Sequence, residues 1–175
     1  MIRMLAGVVV ACVVTGVTLV AQQNQVTVEL KDLQGASVGT ATLSPTREGG
    51  VRIALDLKNL APGEHAFHVH QEARCEPPFA TAGPHFNPGA KKHGLENPDG
   101  SHAGDMKNVT VGADGTAKAV IVNTQVTFGD GANSLFVNGG TSLVIHAKPD
   151  DMKTDPAGNA GDRIACGLIR KQRGS

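Results

Sequence analysis

The chain has 175 residues, a length that fits one domain with a substantial buried core. Its 16 Lys and Arg balance 16 Asp and Glu, and no basic run is interleaved with aromatic residues, which argues against a nucleic-acid-binding surface. With 22 Gly, 9 Pro and no long helical period, the composition favours an all-β fold.

Residues 1–21 form a predicted targeting segment. Arg3 provides a positive start, and the following 18 residues, Met4 to Ala21, carry no charge. This order is typical of a secretory signal peptide, so we expect cleavage near Ala21 and a mature domain of residues 22–175. The same uncharged run would also allow an uncleaved membrane anchor, and Cys12 loosely fits a lipoprotein cleavage box. We therefore expect an exported protein, periplasmic or extracellular, that contacts a membrane only if the leader is uncleaved or lipidated.

Short alternating segments separated by turn residues predict about eight strands along the mature chain. In the fourth of them, His68 and His70 are two residues apart and therefore share one face, from which both rings can reach the same metal. The predicted strands are Val26–Leu30, Val38–Leu43, Val51–Leu57, His65–His70, Asn108–Val111, Thr116–Val122, Leu143–His146 and Arg163–Ile169.

Two stretches, Gln71 to Met106 and Lys148 to Asp162, lack any such periodicity. An irregular segment of about 36 residues is unusual inside a compact domain and usually signals function or disorder. Metal coordination would explain how so long a segment is ordered, because it can replace a hydrophobic core as the force that orders a loop. The first stretch contains three histidines and an aspartate at suitable positions, namely His85, His93, His102 and Asp105.

Six of the seven histidines, with one aspartate, predict a two-metal centre. Imidazole suits copper and zinc, and a carboxylate can complete a zinc site. A single histidine is usually a surface or hydrogen-bonded core residue, but that explanation is poor for six of them beside a carboxylate. The predicted metal-binding residues are His68, His70, His85, His93, His102, Asp105 and His146.

The cysteine count agrees with export. Removal of the leader removes Cys12 and leaves Cys75 and Cys166. An even pair in an exported protein predicts one disulfide, with two free buried thiols as the alternative.

Six segments together resemble the copper/zinc superoxide dismutases, and in particular their exported bacterial members. The resemblance spans about residues 25–170 and implies an eight-stranded Greek-key barrel or sandwich with two long functional loops. The segments that carry it are Gly63–His70 (GEHAFHVH), Ala82–Pro88 (AGPHFNP), Lys92–Gly94 (KHG), His102–Asp105 (HAGD), Leu143–Lys148 (LVIHAK) and Gly158–Gly167 (GNAGDRIACG).

The resemblance also implies the role of each site residue. Copper would be held by His68, His70, His85 and His146, and zinc by His85, His93, His102 and Asp105, so that His85 bridges both metals. The implied activity is the conversion of superoxide to dioxygen and hydrogen peroxide, with His85 and Arg163 as its catalytic residues. Asp150 would accept hydrogen bonds from one ligand of each metal, Arg163 would dock the anion beside copper, and a Cys75–Cys166 disulfide would tie the metal-binding loop to the last strand.

Two other functions fit the same fold: a copper-binding or metallochaperone protein with little turnover, and a structural domain that binds only zinc. The sequence contains no Cys-x-Cys or Cys-x-x-Cys transfer motif, and it retains all seven ligand positions with Arg163, so the enzyme is favoured. The short loop Lys148–Asp162 mixes lysines with aspartates and does not indicate which charge guides the substrate. A homodimer is compatible with the resemblance.

Overall fold

Nine β-strands and two short 3-10 helices make up the regular structure of residues 25–171, which are the residues described by the computed structural model. The predicted leader, residues 1–21 with Cys12, lies outside this range. Within the range, no helix has the length and apolar character needed to cross a membrane. The strands are β1 (Val26–Asp32), β2 (Ser37–Pro45), β3 (Val51–Leu57), β4 (Gly63–His65), β5 (Phe67–His70), β6 (Val109–Val111), β7 (Ala117–Asn123), β8 (Thr141–His146) and β9 (Arg163–Ile169), and the 3-10 helices are Ala80–Ala82 and Val137–Gly139.

The predicted strand His65–His70 is divided in two at Ala66. On one side of this residue β4 pairs with β6, and on the other side β5 pairs with β8. The Ala66 N–H donates to the carbonyl oxygen of Lys148, and the Ala66 carbonyl accepts from the N–H of His146. The chain therefore changes pairing partner at Ala66, which turns the eight predicted strands into nine.

All strand pairs are antiparallel, and the order of strands confirms the all-β Greek-key prediction. Seven strands form one sheet in the order β5-β8-β9-β1-β2-β3-β7, and β4 and β6 form a second, smaller sheet. Neighbours that are distant in sequence, such as β3 with β7, are the crossovers of the Greek key. Because β4 continues into β5 while β6 contacts β7, the small sheet spans the two edges of the large one.

Alternation along the strands fills the core with aliphatic side chains. In β3, Val51, Ile53, Leu55 and Leu57 are all buried, as the period-two pattern predicts. In β5, Phe67 and Val69 join this core. The two histidines between and after them therefore point to the opposite side of the strand, where the loop of residues 71–108 covers them.

A disulfide joins that loop to the last strand. Cys75 and Cys166 are bonded across a sequence separation of 91 residues, which confirms the predicted pair over two free thiols. Phe79, Ala82 and Val144 pack with it in a small apolar cluster outside the main core. The first half of the metal-binding loop is thus fixed to the sheet by a covalent bond and by packing.

Candidate metal centre

Three parts of the fold bring the predicted metal-binding residues together. His68 and His70 lie on β5, and His146 ends the neighbouring strand β8. The remaining members come from the loop that follows β5. All seven side chains are buried, and they form two groups that share one residue: His68, His70, His85 and His146, and then His85, His93, His102 and Asp105.

Backbone hydrogen bonds along the edge of β5 position the loop. The N–H of Phe86 donates to the Val69 carbonyl over 2.8 Å, and the N–H of Val69 donates to the Gly104 carbonyl over 2.9 Å. A Cβ atom at residue 104 would collide with the Val69 carbonyl, so the close approach requires glycine. His85 directly precedes Phe86, and His102 lies two residues before Gly104. These backbone hydrogen bonds therefore fix the positions of both histidines.

In the first group, each of three rings donates one N–H to the protein. His70 Nδ1 donates to the Gly83 carbonyl over 2.9 Å, and His146 Nδ1 donates to the Gly161 carbonyl over 3.2 Å. His68 Nε2 faces the Asp150 carboxylate at 2.8 Å. Because carbonyl and carboxylate oxygens only accept, these bonds fix the tautomer of each ring and leave its other nitrogen with a lone pair.

Those lone pairs converge on one point. His70 Nε2 and His146 Nε2 are 3.4 Å apart, although neither has a proton to donate to the other. His68 Nδ1 and His85 Nε2 are fully buried and have no hydrogen-bond partner among residues 25–171. Buried unpaired nitrogens are costly, and facing lone pairs repel each other. A cation between the four nitrogens removes both penalties, so this group fits a metal ion, and an all-imidazole set suits copper.

The second group has the dimensions of a tetrahedral zinc site. Asp105 Oδ1 lies 2.9 Å from His85 Nδ1, 3.1 Å from His93 Nδ1 and 3.3 Å from His102 Nδ1. The Nδ1 atoms of His85 and His102 are 3.4 Å apart. A tetrahedron with zinc–ligand bonds of about 2.0–2.1 Å has edges of about 3.3 Å. Four of the six edges are thus already close to the length that zinc requires.

The backbone holds Asp105 in the orientation that this group needs. Its Oδ2 atom accepts from the N–H groups of Gly94, over 2.8 Å, and His102, over 3.0 Å. Oδ1 is therefore left to face the three rings. Because only three positions separate them, both the side chain and the backbone N–H of His102 contact the Asp105 carboxylate. The sequence alone indicated the two residues only as candidate ligands.

Burial and hydrogen bonding set the protonation of the site. Burial, the largest effect, lowers the pKa of His85 to about 4 and that of His146 to about 3, so both rings are in the neutral form that binds metals. Burial opposes protonation of His93 too, but hydrogen bonds to Asp105 and Asp150 outweigh it and raise its pKa to about 9. Although burial acts against it, bonding to the neighbouring imidazoles holds the pKa of Asp105 well below its ordinary value.

Asp150 connects the two groups. Its Oδ2 accepts from His68 Nε2 over 2.8 Å and its Oδ1 from His93 Nε2 over 3.0 Å. Asn108 clamps the backbone of Asp150 through two bonds: its Nδ2 donates to the Asp150 carbonyl over 3.0 Å, and its Oδ1 accepts from the Asp150 N–H over 2.8 Å. The sequence pattern placed Asn108 at the start of a predicted strand but did not indicate a role at the site, because its position just before β6 belongs to no metal-binding motif.

Gly158 was also missed as a site residue, and its role becomes visible only in three dimensions. Its φ of 61° lies in the left-handed region, and a Cβ atom there would collide with the Asp150 carboxylate and with His93 Nε2. The chain must therefore pass close to the carboxylate without a side chain. Its backbone N–H and carbonyl bond to Thr154 and Asp151, which closes the second loop over the site.

Arg163 begins β9 and lies beside the first group. Its Nη1 donates to the Phe79 carbonyl over 2.6 Å and its Nη2 to the Gly83 carbonyl over 2.7 Å. The Gly83 carbonyl also accepts from His70, so Arg163 and a member of the metal group share one anchor. The guanidinium is half-buried and lines an open cleft of about 860 Å³ that reaches His85 and His146.

The seventh histidine, His65, stands outside both groups. Its Nδ1 lies 2.8 Å from the carbonyl oxygen of His146, and its Nε2 lies 2.8 Å from that of Ala61. The ring therefore braces the backbone of His146 and belongs to neither metal group.

The fold and the site define a β-barrel protein with two adjoining metal-binding groups that share a histidine and open to solvent beside an arginine. Residues 37–169 match the family model of copper/zinc superoxide dismutase (SODC). The chain is 52% identical over 145 residues to superoxide dismutase (Cu-Zn) 2 of Aquifex aeolicus strain VF5, a match that covers 81% of this chain and 84% of that protein. The chain therefore belongs to the copper/zinc superoxide dismutase family.

Solved structures agree with this assignment. The crystal structure of a SOD-like protein from Bacillus subtilis superposes with a TM-score of 0.79 at 34% identity, covering 82% of this chain and 97% of that one. The Cu/Zn superoxide dismutase from Brucella abortus superposes with a TM-score of 0.69 at 30% identity, covering 83% of this chain and 99% of that one.

Proposed function

We propose that this chain is an exported superoxide dismutase that converts two superoxide ions and two protons into dioxygen and hydrogen peroxide at a copper–zinc centre. The observation that carries the proposal is the position of His85. Its Nε2 belongs to the first group and its Nδ1 to the second, and the ring lines a cleft that is open to solvent. A small anion can therefore reach the histidine that both groups share.

The two donor sets support a different place for each metal. Copper fits the all-imidazole group of His68, His70, His85 and His146, and zinc fits the group completed by Asp105. When bound, copper supplies reversible one-electron transfer, whereas zinc is redox-inert and supplies charge and geometry.

His85 is the residue placed to move a proton. Among residues 25–171 its Nε2 has no hydrogen-bond partner, so a proton held there can be passed to a basic acceptor such as reduced dioxygen. Nδ1 stays directed at Asp105, 2.9 Å away, which keeps the ring in position while Nε2 takes up and releases its proton. Formation of hydrogen peroxide consumes two protons and therefore requires a proton donor near the oxygen atoms.

Arg163 docks the substrate in this proposal. Hydrogen bonds to two loop carbonyls hold its guanidinium against the cleft that contains His146 and His85. A fixed cation attracts superoxide and stabilises the negative charge that develops on it. The Cys75–Cys166 disulfide holds the same loop to β9 and thereby supports the position of Arg163.

Metal analysis combined with a superoxide assay tests the proposal. Purified protein loaded with copper and zinc should bind about one of each per chain and should remove superoxide at a high rate. Removal of copper with a chelator should abolish the activity, and its return should restore it. Stoichiometric copper without catalytic loss of superoxide would favour a copper-binding protein, and zinc without copper would favour a structural domain.

Export is the second part of the proposal and concerns the segment 1–21. Its support is the charge and apolar pattern of that segment, together with a disulfide in the folded domain. Determination of the N-terminus of the protein isolated from its host tests it, with a start at Gln22 expected. A retained leader in the membrane fraction would indicate an anchor instead. Light scattering of the purified protein would test the homodimer that the resemblance allows.

A further inference from the structure

The two loops that enclose the metal groups touch each other along one line. Residues 92–97 of the loop that follows β5 lie against residues 150–155 of the second loop, a contact that we name the loop seam. The N–H of Glu96 donates to the Met152 carbonyl over 3.0 Å, and a Cβ atom at residue 94 would collide with the same carbonyl. The backbones of the two loops are therefore in direct contact at the seam.

Two lysine–carboxylate pairs cross the loop seam within the part of the chain that the structure describes. Lys92 Nζ lies 3.2 Å from Asp155 Oδ2, and Lys153 Nζ lies 3.0 Å from Glu96 Oε2. All four side chains are exposed to solvent, and an exposed ion pair by itself stabilises a fold only slightly. Any difference in importance between the two pairs must therefore come from their other contacts.

Asp155 has contacts beyond its own pair, and they lead to the second metal group. Its Oδ1 accepts the backbone N–H of His93 over 2.7 Å, and the same oxygen lies 4.0 Å from Nε2 of His102. Both histidines direct their other ring nitrogen, Nδ1, at Asp105 in the centre of that group. One carboxylate of the second loop thus holds the backbone of one zinc-type ligand and faces the ring of another.

The pair of Lys153 and Glu96 has no such contacts. Within residues 25–171, neither side chain forms a hydrogen bond or an ion pair with a member of either metal group. This pair nevertheless joins the same two loops across the same seam. It is therefore a matched reference for what an exposed ion pair between the loops contributes without a link to the metal ligands.

The Lys92–Asp155 pair also lies on the side of the second group that is nearest to solvent. His102 has 9% of its side chain exposed, whereas the other three members have 3% or less. His102 lines the open cleft of about 860 Å³ together with Lys92 and Asp155. An ion that leaves the group toward this cleft would pass the place that Asp155 occupies.

We propose that Asp155 is a positioning residue that keeps zinc in the second group by holding two of its ligands from the second loop. Without the carboxylate, the N–H of His93 loses its acceptor, and the side of His102 that faces the cleft is open. Both ligands then separate from the ion more often, so zinc leaves faster. Copper should be unaffected, because among residues 25–171 Asp155 bonds to no member of the first group. The inference rests on the assignment of zinc to the second group and does not depend on superoxide turnover.

The rate of zinc release from protein loaded with copper and zinc tests the inference. An excess of a chelator that changes colour on binding zinc reports the release, and elemental analysis of the protein reports the copper that remains. Asp155→Ala should release zinc about tenfold faster than the wild type, at the lower end of the effects typical of residues that orient metal ligands. Asp155→Asn should be intermediate, because an amide oxygen still accepts the N–H of His93 although the charge is lost. Glu96→Gln, the control, should stay within about twofold of the wild type.

A second measurement reports the ligand geometry itself. Cobalt(II) can replace zinc, and its visible absorption depends on how its ligands are arranged. The spectrum should change in Asp155→Ala, should change less in Asp155→Asn and should equal that of the wild type in Glu96→Gln. A residue that only stabilised the loops would alter the free energy of unfolding without altering this spectrum.

The outcomes separate this inference from the dismutase proposal. If Asp155→Ala releases zinc no faster than Glu96→Gln, the role of Asp155 is wrong. Equal acceleration of zinc and copper release in Asp155→Ala would also overturn it, since that result would indicate general loosening of both loops. Selective loss of zinc from Asp155→Ala, in a protein that does not remove superoxide, would support Asp155 and contradict the dismutase function. If His102→Ala binds as much zinc as the wild type, the assignment of zinc to the second group is wrong, and the inference fails with it.

Discussion

The carboxylate of Asp150 accepts a hydrogen bond of 2.8 Å from His68, although the two residues are 82 positions apart. The other oxygen of this carboxylate binds His93, so one side chain orients a member of each metal group. Asp150→Asn keeps the shape, but an amide offers one acceptor oxygen and one NH₂. One of the two imidazole N–H groups would then face another donor. We expect both metals to bind about 10–100-fold more weakly, measured by competition with chelators.

Asp56→Asn is the control for the Asp150 variant. It removes the same charge from an exposed carboxylate on the outer sheet surface that, within residues 25–171, pairs only with Lys118. Its metal affinities should equal those of the wild type. Equal affinities in Asp150→Asn and Asp56→Asn would contradict the orienting role of Asp150.

Gly158 allows a test of how closely the second loop must approach the same carboxylate. In Gly158→Ala the new methyl group would collide with Asp150 and His93, so zinc affinity and the free energy of unfolding should both decrease. Gly35→Ala is a matched control, because Gly35 also has a positive φ, 83°, but open space around its Cβ position. Zinc titration and urea unfolding should show a larger loss of zinc affinity and stability in Gly158→Ala than in Gly35→Ala. Similar losses in the two variants would mean that only backbone strain matters.

Strands such as β1 and β3 were predictable from the sequence because their apolar residues recur with a period of two. The predicted bounds of β3 and β9, Val51–Leu57 and Arg163–Ile169, are the observed ones. The break at Ala66 was not predictable, since it depends on which strands pair with each half. Local pattern specifies which residues face the core, but it does not specify a change of partner.

The predicted site members could be recognised because metal-binding residue types are rare and chemically distinctive. His85, for example, lies in an irregular loop without any periodic pattern, and only its residue type identifies it as a candidate metal ligand. Asn108 acts on Asp150, 42 residues away, and Gly158 passes close to His93, which lies in the other loop; both residue types are ordinary in loops. Such supporting residues become visible only when the fold brings distant segments together.

The two metal groups can be separated by substitution at residues that belong to only one of them. His146→Ala removes one nitrogen from the first group and leaves the second group complete. Copper affinity should fall by roughly 100-fold or more, above the 10–100-fold typical of an outer hydrogen-bond partner, while zinc stays bound. His102→Ala should give the opposite pattern. Elemental analysis after dialysis against a weak chelator measures both, and loss of both metals in both variants would contradict two separate groups.

The disulfide should stabilise the folded chain mainly by restricting the unfolded one. Its sequence separation of 91 residues makes the entropic effect large, and reduction should lower the free energy of unfolding of the metal-free protein by about 2–4 kcal/mol. Urea unfolding with and without reductant measures the change, and thiol titration of the oxidised denatured chain should find neither Cys75 nor Cys166 free. The double variant Cys75→Ser/Cys166→Ser should not respond to reductant, and two reactive thiols before reduction would contradict the bond.

Arg163 provides the most direct test of how the substrate is held. Arg163→Ile removes the charge beside the cleft, and we expect the second-order rate to fall about tenfold, equivalent to about 1.4 kcal/mol of transition-state stabilisation. Arg163→Lys should be intermediate, because a point charge replaces a planar group that spans the carbonyls of Phe79 and Gly83. Pulse radiolysis at several ionic strengths measures these rates.

Metal content and salt dependence distinguish docking from loop support. Arg163 holds the loop through two hydrogen bonds, so its loss could act through the nearby His70, which shares the Gly83 carbonyl. If Arg163→Ile retains both metals and its rate depends less on ionic strength than that of the wild type, the charge acts on the substrate. If its rate equals that of the wild type at low salt, Arg163 only supports the loop. In that case the attraction of superoxide must come from other residues that line the cleft.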